Sequence, residues 1–464
     1  MATVVPASTS QGTIDVPSLV SQLMAVERQP ITNLNTKVAS YQSQISSLGT
    51  IQGLVSDFQS AEQGLGTSLQ GFSAISSDSA ITASATSTSV GGTYSLAVSA
   101  LAQTQNLAAV GQTSTSTAIS AGTSTTITFD FGTTIGANFT SNGSGTKTVT
   151  VDSTNNTLQG ISDAINAANI GVTATIVNDG SATPYRLVLS SNNSGASNSL
   201  KITTNGAGNG VDGLLAYDPA GAKNMTQTIA AQDAKFTLNG IPMTSATNTV
   251  ANAIQGVTLT LNNTTTSSAT LTIARNTNSV STAVTNFVTA YNALYTQLKS
   301  RSAYGTATAT SGSLAGDGTV RNMMAQLQGI FMTPTSGGSL NYLAQIGITT
   351  QSDGTLKVDS AALNSAITNH YSDVTNLLSS STGFVTRFDS WATSVLTPGG
   401  LISNHITDLN SSISGFNDQI SQLNNKMTTL QAYYTTQYSN LNMLLSSMNS
   451  TSSFLTQAFS STTK

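Results

Sequence analysis

Residues 401–448 read LISNHITDLNSSISGFNDQISQLNNKMTTLQAYYTTQYSNLNMLLSSM. Set on heptads, the a and d positions are Ile402, Ile406, Leu409, Ile413, Phe416, Ile420, Leu423, Met427, Leu430, Tyr434, Gln437, Leu441, Leu444 and Met448. Gln437 alone breaks the apolar series, and the alternating spacing of three and four predicts one continuous helix with a coiled-coil seam. At ~1.5 Å per residue, such a helix is about 70 Å long. Full burial of each seam side chain is worth ~1.5–3 kcal/mol, so the stripe requires a partner along its length.

A second stripe supplies one: Ile31, Leu34, Val38, Tyr41, Ile45, Leu48, Gln52, Val55 and Phe58. Antiparallel pairing brings both termini to one end and leaves residues 75–400 at the other. The alternative is that each stripe packs in its own local bundle. Flanking e and g positions of the long seam are nearly uncharged: Ser403, Asn410, Asn417, Asn424 and Gln431 at e, Ser412, Gln419 and Asn440 at g, with Lys426 the one permanent charge. Pairing there is set by packing and amides rather than by salt bridges. Beyond residue 430 the stripe widens through Tyr433, Tyr438, Met443 and Leu445, more apolar circumference than one neighbour covers.

Before the second stripe, Val16, Leu19, Val20, Leu23 and Met24 recur at helical spacing, with Asp15 as N-cap and Pro17 in the first turn. Pro30 ends or kinks that helix. From Ala80 the period changes to two. Thr93–Val98, Lys147–Val151, Val172–Val177, Arg186–Leu189, Lys235–Leu238 and Val257–Leu261 read as strands. Residues 111–128 read as a Ser/Thr-rich linker, Leu158–Ala168 as a helix with Gly171 at C′, and Val250–Ile254 as a short helix. The stretches 192–195 and 206–213 read as exposed loops. Asn239-Gly240 marks a hairpin, because both turn positions require positive φ, and Asp353-Gly354 marks a second with favoured turn chemistry. Helical period returns over Val280–Leu298, 317–331 with Asp317 as N-cap, 361–368 capped by Asp359, and 383–396, before Pro398-Gly399-Gly400 releases the long seam.

Charged residues make up 7% of the 464, against roughly 25% in ordinary soluble domains. Net charge is -4 with no basic run, which argues against a nucleic-acid partner. Without Cys there is no disulfide or thiolate metal site. His370 and His405 have no ligand or triad neighbours at useful spacing, and both read as solvated surface residues. No P-loop, dinucleotide fingerprint or HExxH motif occurs, so neither cofactor, metal nor catalysis is expected. No 18-residue apolar run or signal-peptide core exists, so no membrane span is expected.

Several ordered segments carry a resemblance. Ile14-Asp15-Val16-Pro17-Ser18-Leu19-Val20-Ser21-Gln22-Leu23-Met24-Ala25-Val26-Glu27-Arg28-Gln29-Pro30 closely resembles the N-terminal signature of the flagellar filament cap family, hook-associated protein type 2 or FliD. Gly92–Leu96, Leu101–Gln105, Asn239–Ile241, Ile254–Leu259, Phe287–Leu294, Ile346–Ile348, Asp353–Leu356 and Tyr434–Leu441 match in the same order. Residues 147–205 are similar to a repeat in the variable domains of flagellins. Of the family's Gly-rich opening run, only Gly12 and Asp15 remain.

The resemblance implies an α+β multidomain chain without enzymatic activity. Terminal assembly segments, disordered in the monomer, span 1–30 and 432–464. A long antiparallel helical leg spans 31–75 and 276–431, a β-rich head 76–111 and 230–275, and an inserted flagellin-like domain 112–229. Leu19, Val20, Leu23, Met24, Tyr434, Tyr438, Leu441, Leu444, Leu445 and Met448 are expected at the assembly interface. The intramolecular seam is expected to join Ile31, Leu34, Val38, Tyr41, Ile45 and Leu48 to Ile406, Leu409, Ile413, Phe416, Ile420 and Leu423. The implied partners are copies of itself in a homopentamer, flagellin, hook-associated junction proteins, the type III export apparatus and a cytoplasmic export chaperone at the C-terminal segment. The implied place is the extracellular filament tip, reached without a cleaved signal. A junction-type axial protein, or a surface adhesin for host mucin or glycans, is the alternative.

Overall fold

In the computed structural model, residues 15–121, 124–206, 209–306 and 310–461 are described. The expectations for residues 1–14, Gly12 among them, and for 462–464 lie outside these. The chain divides into a helical unit, built from 1–69 and 277–464, and a β-rich unit, 70–276.

The helical unit begins with α1 (Val16–Glu27). Asp15 accepts from Ser18 N at 3.1 Å and Pro17 sits in the first turn. After the break at Arg28, α2 (Gln29–Ser68) starts with Pro30 in its own first turn, where a missing N–H costs nothing. The buried positions of α2 from Leu48 onward are Ile51, Val55, Phe58, Glu62 and Leu65. Gln52, expected on the stripe, is exposed, and Ile51 replaces it. The four-residue step falls at 51–55 instead of 48–52, and the face from Leu48 onward is buried in the large helical core.

The β-rich unit contains two cores. Its strands are β1 (Phe72–Ser76), β2 (Ile81–Ala85), β3 (Gly92–Ala100), β4 (Asn106–Ala108), β5 (Thr125–Ile135), β6 (Asn138–Ser141) and β7 (Lys147–Val151). Next come α3 (Leu158–Ala167), β8 (Val172–Asn178), β9 (Tyr185–Ser191), β10 (Ser199–Thr204) and α4 (Gly210–Leu215). The unit ends with β11 (Thr226–Ile229), β12 (Ala234–Leu238), β13 (Ile241–Ser245), β14 (Thr249–Ile254), β15 (Val257–Leu261) and β16 (Ala269–Arg275). Sheets β1-β16-β3-β12-β13 and β14-β15-β2 enclose one core, with Leu96, Phe236, Leu259 and Leu271 at its centre. Sheets β10-β5-β6, with β7 also on β5, and β11-β4-β9-β8 enclose the other, around Phe129, Ile161, Leu189 and Leu200.

Several local readings change here. Thr125–Thr128, read as linker, open β5, which buries Thr125, Ile127, Phe129 and Phe131 in strict alternation. Threonine is β-branched and suits a pleated surface, so Ser/Thr richness alone does not mark a loop. Val250–Ile254 is strand rather than helix: Val250 pairs with Leu259, and Asn252 at φ 64° bulges the strand. Five residues cannot sustain a helix against an available sheet partner. Part of 206–213 forms α4, capped by Asn209, with Val211 buried. At the end of α3 it is Asn169, φ 49°, that takes the left-handed position after the C-cap, two residues before Gly171. The Asn239-Gly240 hairpin forms as expected, with φ of 51° and 81°. Asn239 also ties the turn to β3, its Oδ1 accepting from Ser95 N at 2.8 Å.

The helical unit resumes with α5 (Thr277–Ser302) and α6 (Gly318–Met332), followed by the hairpin β17 (Ile348–Thr350) and β18 (Leu356–Val358). Then come α7 (Ser360–Asn369), α8 (Tyr371–Ser379), α9 (Phe384–Leu396) and α10 (Leu401–Ser461). Asp317 and Asp359 cap α6 and α7 as expected. Helix α8 has no counterpart among the elements read from the sequence. Its Val374, Leu377 and Leu378 are buried in the core that α2, α5 and α9 share. Among the described residues, no helix is long and apolar enough to cross a membrane.

Candidate assembly interface

Helix α10 has 61 residues, so at ~1.5 Å per residue it extends about 90 Å. Its cover changes along that length. Ile402 and Leu409 are buried in the large helical core, and Ile406 packs against it. Ile413, Phe416, Ile420 and Leu423 are half-buried, as are Ile31, Leu34, Val38, Tyr41 and Ile45 on α2, while Leu48 is fully buried. The rings of Tyr41 and Phe416 lie 5.6 Å apart, and Ile31 joins the cluster of Met427 and Leu430. Low residue numbers on α2 thus meet high ones on α10, an antiparallel arrangement. Lys37 lays its ammonium 5.6 Å from the Phe416 ring centre.

The next stretch is covered by α1. Val16, Val20 and Met24 are buried with Met427, and Leu430, Tyr434 and Tyr438 pack around them. Val20 and Met24 are used within the chain, and Tyr434 and Tyr438 are half-buried against them; Leu19 and Leu23 are also half-buried. The apolar faces of α1 and α10 each lack a neighbour when read in sequence, and each provides one for the other. Residues 16–27 and 432–461, where disorder is expected from the resemblance, are helical.

Past Tyr438 the cover ends. Leu441, Met443, Leu444 and Met448 are 40%, 64%, 57% and 60% exposed, and Leu445 is half-buried. Phe454 and Leu455, beyond the stripe legible as heptads, are 70% and 47% exposed. Their signal in the sequence is that they are the only large apolar residues in Asn449–Thr456. No charged residue occurs from Met427 to Thr463. An apolar, uncharged helix surface of this length is the kind of patch that marks a protein–protein contact.

The two histidines differ. His370 is exposed between α7 and α8, as expected. His405, expected in solvent, instead brings Nε2 to 2.7 Å from Asp317 Oδ2, and its side chain is 24% exposed. The same aspartate caps α6, so this contact ties the start of α10 to the start of α6. Among the described residues, no group of three or more His, Cys, Asp or Glu is arranged to hold a metal.

Because the e residues Asn410, Asn417, Asn424 and Gln431 are exposed amides, salt has little to screen along this helix pair. The helix content and melting temperature of the chain should therefore change little between low and high salt. A steep loss of helicity with salt, followed by circular dichroism, would contradict packing-driven pairing.

Comparison with known proteins agrees with this architecture. Residues 12–105 match the family model "Flagellar hook-associated protein 2 N-terminus" and residues 231–450 match "Flagellar hook-associated protein 2 C-terminus". The flagellar hook-associated protein 2 of Escherichia coli K12 is 32% identical over 465 residues, covering 96% of each chain. The B-type flagellar hook-associated protein 2 of Pseudomonas aeruginosa is 29% identical over 424 residues, covering 87% of this chain and 86% of the relative. Among solved structures, the D1-D2-D3 domains of the flagellar cap protein FliD from Escherichia coli superpose with a TM-score of 0.66 at 32% identity, covering 78% of this chain and 99% of that one. The chain belongs to the flagellar hook-associated protein 2 (FliD) family.

Proposed function

We propose that this protein caps the flagellar filament, holding exported flagellin at the extracellular tip while it folds and inserts. The observation that carries the reading is the exposed apolar surface of α10 from Leu441 to Leu455, on a helix whose preceding turns are already covered by α1 and α2. Such a surface is stabilised by burial in an assembly, at ~25 cal/mol per Å² removed from water. The occupants proposed are further copies of this chain and flagellin, and before export a chaperone that shields the same segment. The role is steric and conformational, with no bond made or broken on a substrate. Residues 31–75 and 276–431 serve as the leg, 76–111 and 230–275 as the head, and 112–229 as the domain inserted into it.

Deletion of the gene tests this. A cap is required to retain flagellin, so the deletion strain should shed unpolymerised flagellin into the medium and carry few or short filaments. Filaments of normal length, with no flagellin in the medium, would overturn the proposal.

A further inference from the structure

Glu62 occupies a core position of α2, between Phe58 and Leu65, and is 0% exposed. Neither of its carboxyl oxygens has a hydrogen-bond partner. The group that acts on it from the facing helix is another carboxyl, Asp389 of α9. Asp389 Oδ1 accepts from Gln59 Nε2 at 3.0 Å and from Gln63 Nε2 at 3.2 Å, so both glutamines flanking Glu62 are turned toward it. Among the described residues, the charged groups of the surrounding helices are engaged elsewhere or face solvent. Arg387, the other charge on α9, donates to Ile330 O, Thr333 O and Thr335 Oγ1. Asp57, on α2 itself, is exposed. Helix α5 carries no charged side chain from Thr277 to Leu298. On α10, His405 is engaged with Asp317, and Asp408 is exposed. On α8, Asp373 accepts from Ser339.

Glu62 is buried and Asp389 is half-buried, so burial of Glu62 and repulsion from Asp389 each penalise a charge on Glu62. We propose that Glu62 is carried as a neutral acid that shares a proton with Asp389, and that loss of this proton loosens the α2–α9 contact. The proton supplies the donor that the Glu62 oxygens otherwise lack, and α2 and α9 are thereby joined by a proton-dependent latch. Burial first, and Asp389 second, push Glu62 up to about 8 from 4.5. A carboxyl whose pKa is raised on folding stabilises the fold fully below its unfolded value, and this contribution is lost as pH rises through the folded value. The window therefore runs from pH 4.5 to about 8, and stability levels off above it.

Thermal unfolding of the full-length chain across this window provides the test. The wild-type melting temperature should fall by about 5–10 °C from pH 6 to pH 9.5. The Glu62→Gln variant keeps the shape without the ionisation, and its melting temperature should stay nearly level. Equal falls in both proteins would overturn the proposal. Asp389→Asn removes the repelling charge, and should move the midpoint of the wild-type fall to lower pH. An unmoved midpoint would overturn the sharing even if Glu62→Gln failed to fold.

Discussion

A chain ending at Leu430 is expected to keep its fold and lose its ability to cap. The buried members of the large helical core on α10 are Ile402 and Leu409, and both remain. Met427 and Leu430 also remain to cover part of α1, whereas Tyr434 and Tyr438 are lost. Circular dichroism and denaturant midpoints of the truncated chain should stay close to those of the full chain, apart from the helix removed. Motility of a deletion strain supplied with it should stay absent, with flagellin in the medium. Restored motility would show that the exposed end of α10 is not the assembly surface.

The largest expected effect on stability is at Phe58. It is 0% exposed and its ring joins α2 to α5 and α9, through Phe287 at 5.3 Å, Phe388 at 5.3 Å, Tyr291 at 6.0 Å and Trp391 at 6.3 Å. Replacing a buried Phe by Ala costs ~3–5 kcal/mol through lost transfer energy and the cavity left behind. The aromatic pairs lost with it are each worth about 0.5–1.5 kcal/mol beyond their area. Phe58→Ala should therefore destabilise the helical unit by roughly 4 kcal/mol, read from its denaturant midpoint. A loss under about 1 kcal/mol would mean that α2 is not the central helix of this core.

Much of this architecture is legible in the residues because long amphipathic elements state their period repeatedly. The apolar faces of α2 and α10, the caps Asp15, Asp317 and Asp359, and the Asn239-Gly240 turn all follow from local chemistry. What sequence misreads is short or depends on remote partners. Val250–Ile254 can be helix or strand until β15 is available to pair with it. Thr125–Thr128 is hidden by a composition that resembles a linker. The replacement of Gln52 by Ile51 requires knowing that α2 leaves α10 and turns its face toward α5 and α9. The same limit applies at the interface: sequence shows that α1 and the end of α10 are both too apolar for water. It does not show that Val20 and Met24 are buried within the chain while Leu441, Leu444 and Leu455 stay exposed.

Electron microscopy of filaments from a cap-deletion strain, incubated with the purified full-length protein, tests the central claim most directly. Density seated on the filament ends, present with the full chain and absent with the chain ending at Leu430, is the predicted result. Bare ends with the full chain, or capped ends with the truncated one, would contradict it.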